Sequence, residues 1–116
     1  MGEMTKASFE QYWEQLDRDE RESKFSNTTT IALCRLYPTL DPQDRSIIDG
    51  VLSEWVSSSD AGKRFDSSVL IREFGVRSAL PALERRIKQL EGVQTAPEKY
   101  EIQKIQSIIA KLKQPR

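Results

Sequence analysis

The chain is predicted to be all-α, with about six helices, and three observations carry that prediction. Apolar residues recur at helical spacing in successive segments, as in Phe9, Trp13 and Leu16 or Leu80, Leu83, Ile87 and Leu90. Clusters of Ser, Thr, Asp, Gly and Pro stand between those segments and supply caps and breaks. No segment alternates apolar and polar residues as a strand does, and no Asn-Gly hairpin signal occurs.

The first helix is expected from Ser8 to about Glu22, with Ser8 and Gln11 as a capping box. Phe9, Trp13 and Leu16 form its buried stripe, and its charged tail offers an Asp17–Arg21 pair one turn apart. The run Ser26 to Thr30 breaks the chain and holds several cap candidates for a short second helix, about Thr28 to Tyr37. That helix carries Ile31, Leu33, Cys34 and Leu36 and stops near Tyr37, because Pro38 disfavours helical geometry in the residue before it. The third opens on Asp41-Pro42-Gln43-Asp44, with Asp41 as cap and Pro42 in the first turn, and runs to about Val56. Ile48, Leu52 and Trp55 face inward, and Gly50 inside the helix suggests close packing by a neighbour.

Asp60 caps a fourth helix that ends at Gly75, a residue suited to a left-handed turn. Phe65, Val69 and Phe74 are expected on its inner face. The fifth opens near Ser78 with Pro81 in its first turn and ends near Gly92. The sixth runs from Pro97 to about Lys113, with Tyr100, Ile105, Ile108, Ile109 and Leu112 inward.

Residues 60–91, DAGKRFDSSVLIREFGVRSALPALERRIKQLE, resemble a HEAT-like repeat. The likeness lies in an Arg of the first helix (Arg64 or Arg72), Gly75 at the turn, and Ala79-Leu80-Pro81-Ala82-Leu83 opening the second helix. It implies a short right-handed α-α superhelix over residues 1–116 as one domain. The second and third helices would form a degenerate preceding repeat, the sixth a terminal half-repeat, and the first a cap. Arrays of this kind are scaffolds or binding platforms, and their second helices line a concave face. The outward residues there would be Asp44, Arg45, Asp49 and Ser53 on the third helix, and Arg77, Glu84, Arg85 and Lys88 on the fifth. Arg45, Asp49, Arg77, Arg85 and Lys88 are thus the expected partner-binding set. Tyr12, Trp13, Tyr37 and Trp55 are the Tyr and Trp residues outside the second half's core, and any exposed one is the best anchor candidate. A small all-α bundle outside this family is the alternative.

Composition narrows the function classes. A length of 116 residues fits one domain, and 37% hydrophobic with 31% charged residues describes an ordinary soluble chain. No apolar run is long enough for a membrane span, and the N-terminal stretch has no apolar signal core, so a cytoplasmic protein is expected. Met1-Gly2 lacks the Ser or Thr at position 6 that myristoylation favours, since Lys6 stands there. One cysteine, Cys34, permits no internal disulfide and is expected to be a buried, inert thiol. With no histidine, catalytic triads, imidazole bases and the usual zinc sites are excluded. The five scattered glycines build no phosphate loop or dinucleotide fingerprint. No catalytic residue, metal or cofactor is therefore expected.

The formal charge is zero but unevenly spread. Residues 1–60 carry 6 Lys/Arg against 12 Asp/Glu, a net of −6, and residues 61–116 carry the reverse. Such a split can steer a polar partner or draw copies together head to tail, and it also fits plain solvated helix faces. The expected function is a protein–protein interaction module binding another protein of unknown identity through a charged helical surface. An immunity or antitoxin-type protein is the sharper version. The alternative is a nucleic-acid-binding module using the basic half, against which argue a pI near 6.3, no aromatic expected to interleave the basic residues, and the diluting Glu84 and Glu91. A monomer or a weak self-associating species is expected.

Overall fold

A computed structural model of the chain describes residues 4–25, 27–93 and 95–114. Among them lie six α-helices and no strand: α1 Lys6–Glu22, α2 Thr28–Leu36, α3 Pro42–Trp55, α4 Ala61–Phe74, α5 Leu80–Glu91 and α6 Ala96–Leu112. The all-α expectation is borne out. The chain gathers into two compact units, Met1–Val51 and Leu52–Arg116.

In the first unit, α1 begins earlier than the sequence suggests. Thr5 is its cap: Thr5 Oγ1 accepts the Ser8 N–H at 3.0 Å, and Ser8 Oγ accepts the Thr5 N–H at 2.9 Å. Thr5 takes the role because Ser8, three residues on, can return the bond and satisfy a second orphan N–H group. Phe9 and Trp13 are buried, and Arg21 pairs with Asp17 at 2.6 Å. The start of α2 has a different logic. Asn27 stands at its cap with a left-handed φ of 66° and makes no side-chain cap bond. Instead, Glu20 reaches over from α1 and accepts the Thr29 N–H at 2.8 Å and the Thr28 hydroxyl at 3.3 Å. Ser26, one of the cap candidates, and Met1-Gly2 lie outside the described residues.

After Leu36 the chain tightens into a 3-10 turn, Tyr37–Thr39. Tyr37 keeps helical angles (φ −53°, ψ −47°) although Pro38 follows, so the proline ends the α-helix without expelling the chain from helical space. Asp41 caps α3 as expected, its carboxylate accepting the Asp44 N–H at 2.9 Å. Phe9, Trp13, Leu33, Tyr37, Ile48 and Val51 form this unit's core. Two expectations fail here. Gly50 is exposed, and a Cβ there would meet nothing within 4 Å, so no neighbour requires it. Cys34 is half-buried and not sealed into the core.

In the second unit, Asp60 caps α4 by accepting from Gly62 and Lys63, and Gly75 ends it at φ 63°. That left-handed turn is where a glycine is needed, because a Cβ would crowd the backbone. A 3-10 turn, Arg77–Ala79, leads into α5, with Pro81 in the first turn where its missing N–H costs little. Helix α6 packs against both α5 and α4. Arg86 of α5 meets Glu101 of α6 at 2.7 Å across that seam. Leu70, Ile71, Leu83, Leu90, Ile105 and Ile108 are buried in this unit.

The inner face of α4 is not the expected one. It consists of Asp66, Ser67, Leu70 and Ile71, whereas Phe65 is 45% exposed and Val69 and Phe74 only half-buried. On α6, Ile105, Ile108 and Leu112 are buried as expected, but Tyr100 is 68% exposed. Both helices thus carry an aromatic ring outside the core.

Candidate partner-binding surface

The residues anticipated for partner contact fall into two groups. Arg45 and Asp49 of α3 are occupied within the first unit. The Asp49 carboxylate accepts the Tyr37 hydroxyl at 2.8 Å, and the Arg45 guanidinium donates to the Pro38 carbonyl at 3.1 Å while lying 5.8 Å from the Tyr37 ring centre. Burial pushes the Asp49 carboxyl above its ordinary range, against the Tyr37 hydrogen bond and the Arg45 charge, which pull it down. Burial likewise drives the Tyr37 phenol well above its ordinary range, with the Asp49 bond and charge adding to the effect. This cluster behaves as a packed polar knot. Asp44, expected to point outward, is buried and accepts the Met4 N–H at 3.2 Å.

On the second unit, Arg77 is exposed but donates to the Gln114 carbonyl at 2.9 Å. Arg85 and Lys88 are exposed and make no ion pair among the described residues. Glu84 meets Lys113 only at 3.9 Å. The α5 face is thus a wet, charged helix surface on which no apolar ring stands.

The groove between α4 and α6 is different in kind. Two adjoining hollows, of about 200 and about 330 Å³, share Ser68, Tyr100 and Lys104 along their common edge. Phe65 and Tyr100 line the first, with Arg64 beside them; Val69, Ile108 and Arg72 line the second. Lys104 lies at the junction, its Nζ 4.9 Å from the centre of the Phe65 ring, a cation–π distance. Helix spacing explains the arrangement. Phe65, Ser68, Val69 and Arg72 recur at i, i+3, i+4 and i+7 on α4, and Tyr100, Gln103, Lys104 and Ser107 do so on α6. Each helix therefore presents a second stripe beside its core stripe, and the two stripes border one groove.

Compared with family models, curated proteins and solved structures, the chain matches none. The chemistry of the groove therefore rests on its own residues.

Large aromatic side chains with partly exposed faces, next to long cationic side chains, are the composition enriched at the energetic centres of protein interfaces. Of the four aromatics that the sequence offers as anchors, Trp13, Trp55 and Tyr37 are buried, and Tyr12 of α1 is exposed at 39%. The exposed rings of the groove, Phe65 and Tyr100, are instead the ones that apolar spacing assigns to the core. Among the described residues, no group of three or more Cys, Asp or Glu stands together so as to hold a metal ion, and no helix is long and apolar enough to cross a membrane.

Proposed function

We propose that this chain is a non-catalytic, cytoplasmic module that binds another protein through a charged helical surface, the α4–α6 groove of its second unit. The observation that carries this reading is the exposed Phe65 and Tyr100 rings lining one groove, with Lys104 over the Phe65 ring at 4.9 Å. A non-catalytic role is supported by a sequence without histidine. The split of charge supports a polar partner, with 6 Lys/Arg against 10 Asp/Glu in residues 1–51 and 12 against 8 in residues 52–116. Small size and that charge split also support the narrower immunity or antitoxin version. The Gly75 turn and the Leu80-Pro81-Ala82-Leu83 opening support the HEAT-like reading, whereas α6 lying against both α4 and α5 gives it no help.

A nucleic-acid-binding module is the second reading, and one observation favours it. Phe65 and Tyr100 do interleave with Lys104 and Arg64, the arrangement on which single-stranded bases stack. Against it, Glu73 and Glu101 stand in the same groove walls.

The test is affinity capture from the native lysate with three baits: the wild-type chain, Phe65→Ala/Tyr100→Ala, and Arg85→Glu/Lys88→Glu. A discrete partner protein held by the wild type and lost by the aromatic variant is the expected result. Loss only with the α5 variant would move the surface to Arg85 and Lys88. A bait that holds no protein at low or high salt would sink the reading.

A further inference from the structure

We infer that the occupant of the α4–α6 groove is an acidic segment of the partner protein bearing an apolar or aromatic anchor residue. This rests on the protein-binding reading above and adds the chemistry of what is bound.

Charge bookkeeping inside the groove decides the sign of the occupant. Two carboxylates line it, Glu73 and Glu101. Glu101 is already neutralised by Arg86, whose Nε and Nη2 reach its two oxygens at 2.7 and 3.4 Å. Three cations face it: Arg64, Arg72 and Lys104. Arg64 donates to the neutral Ser58 carbonyl at 2.6 Å and so keeps its charge. Lys104 leans over a ring, which attracts the ammonium without neutralising it. Once the internal pair is discounted, three cations stand against one carboxylate. A carboxylate on the occupant can draw Lys104 off the Phe65 ring and open that face to an apolar side chain. The two adjoining hollows offer places for two side chains of one incoming segment.

The same pattern disfavours a phosphate chain. Polyanion binding draws on an unbroken track of cations, and here Glu73 interrupts it.

The experiment uses the full-length chain and three short fluorescein-labelled helical peptides. All carry Leu and Phe at i and i+4, and their flanking positions are all Glu, all Gln or all Lys. Fluorescence anisotropy at low and high salt gives affinities, and backbone amide shifts in a ¹H–¹⁵N spectrum locate the site. The Glu peptide is expected to bind about tenfold more tightly than the Gln peptide at low salt, an advantage that shrinks as salt screens it. Lys104→Glu should erase that preference, and Phe65→Ala should weaken the Glu and Gln peptides alike. Both positions are solvent-accessible, and an unchanged far-UV CD spectrum with native shifts in α5 of the same unit verifies that the variants fold.

Equal binding of the three peptides, preference for the Lys peptide, or shifts lying outside α4 and α6 would each overturn the inference. So would tighter binding of an oligothymidylate than of the Glu peptide. Concentration-dependent self-association lost in Phe65→Ala would also overturn it, by making the occupant a second copy of this chain. Capture from lysate that depends on Phe65 and Tyr100, joined to no acidic preference, would refute the chemistry and leave the module reading standing. Loss of the capture itself would remove both.

Discussion

Replacing Glu20 should loosen α2, although Glu20 belongs to α1. Helix α2 has nine residues, too few to be stable alone, and its own cap residue Asn27 makes no side-chain bond. The Glu20 carboxylate takes that place by accepting the Thr29 N–H at 2.8 Å. Loss of a capping acceptor costs about 1 kcal/mol, and loss of a negative charge at a helix N-terminus costs about 0.5 kcal/mol more. Glu20→Ala should therefore lower stability by about 1.5 kcal/mol. Glu20→Gln keeps an acceptor oxygen and should cost only about 0.5 kcal/mol. The Thr29 backbone bond holds the Glu20 carboxyl below its ordinary range. Its contribution is then complete above the unfolded-state value and is lost as pH falls through the folded-state value. Asp49 works in the opposite sense, because burial raises its carboxyl, so acidification relieves a cost there. Subtracting the Glu20→Gln curve from the wild-type curve cancels Asp49 and leaves Glu20. The assay is urea unfolding followed by Trp13 fluorescence in a Trp55→Phe background, so that the signal comes from the first unit. A Glu20→Ala loss below about 0.3 kcal/mol would refute the capping argument. A wild-type advantage over Glu20→Gln that does not shrink as acid protonates the carboxylates would refute its electrostatic part.

Other substitutions test other parts of the molecule. Gly50→Ala should raise stability by about 0.5 to 1 kcal/mol, since the site is mid-helix with open space for a Cβ, and a thermal melt would register it. Gly75→Ala should do the reverse by about 1 kcal/mol or more, because φ is 63° there, and the same melt measures it. Tyr37→Phe should cost about 1 kcal/mol in urea unfolding by removing one hydrogen bond to the half-buried Asp49.

Helix existence is legible in the sequence because cap chemistry and periodicity agree. Asp41, Asp60 and Gly75 act as the sequence suggests, since each has the side chain or the freedom its position demands. Two boundaries are less legible, and for the same reason: a cap is a competition among neighbours. At α1, Thr5 and Ser8 both qualify, and the reciprocal bond decides between them. At α2, the acceptor comes from Glu20, eight and nine residues upstream of its partners. Local pattern rules look three residues away and pass over it. Gly50 goes the other way. A helical glycine invites the idea of close packing, and only the open space around it shows that nothing approaches.

The candidate site is hidden by a fault in the apolar stripe that spacing suggests for α4. At about 100° per residue, positions nine apart differ by about half a turn, so Phe65 and Phe74 cannot share one face. The core stripe runs Asp66, Ser67, Leu70 and Ile71, and it is obscured because two of its four members, Asp66 and Ser67, are polar. Tyr100 is a similar case, since about 140° separates it from Ile105, whereas Ile105 and Leu112 lie within about 20° of each other. Read by angle instead of by apolar count, both rings fall on flanking stripes, each with a cation one or two turns along. Their partners in the groove, Arg72 on α4 and Lys104 on α6, then follow from the same arithmetic. What the sequence could not supply is that these two stripes face each other. That depends on α6 packing against α4 as well as α5, a choice made by tertiary burial of Ile105 and Ile108. The aromatic pair is therefore a product of topology: the burial that seats α6 on α4 is what brings Phe65 and Tyr100 to one groove.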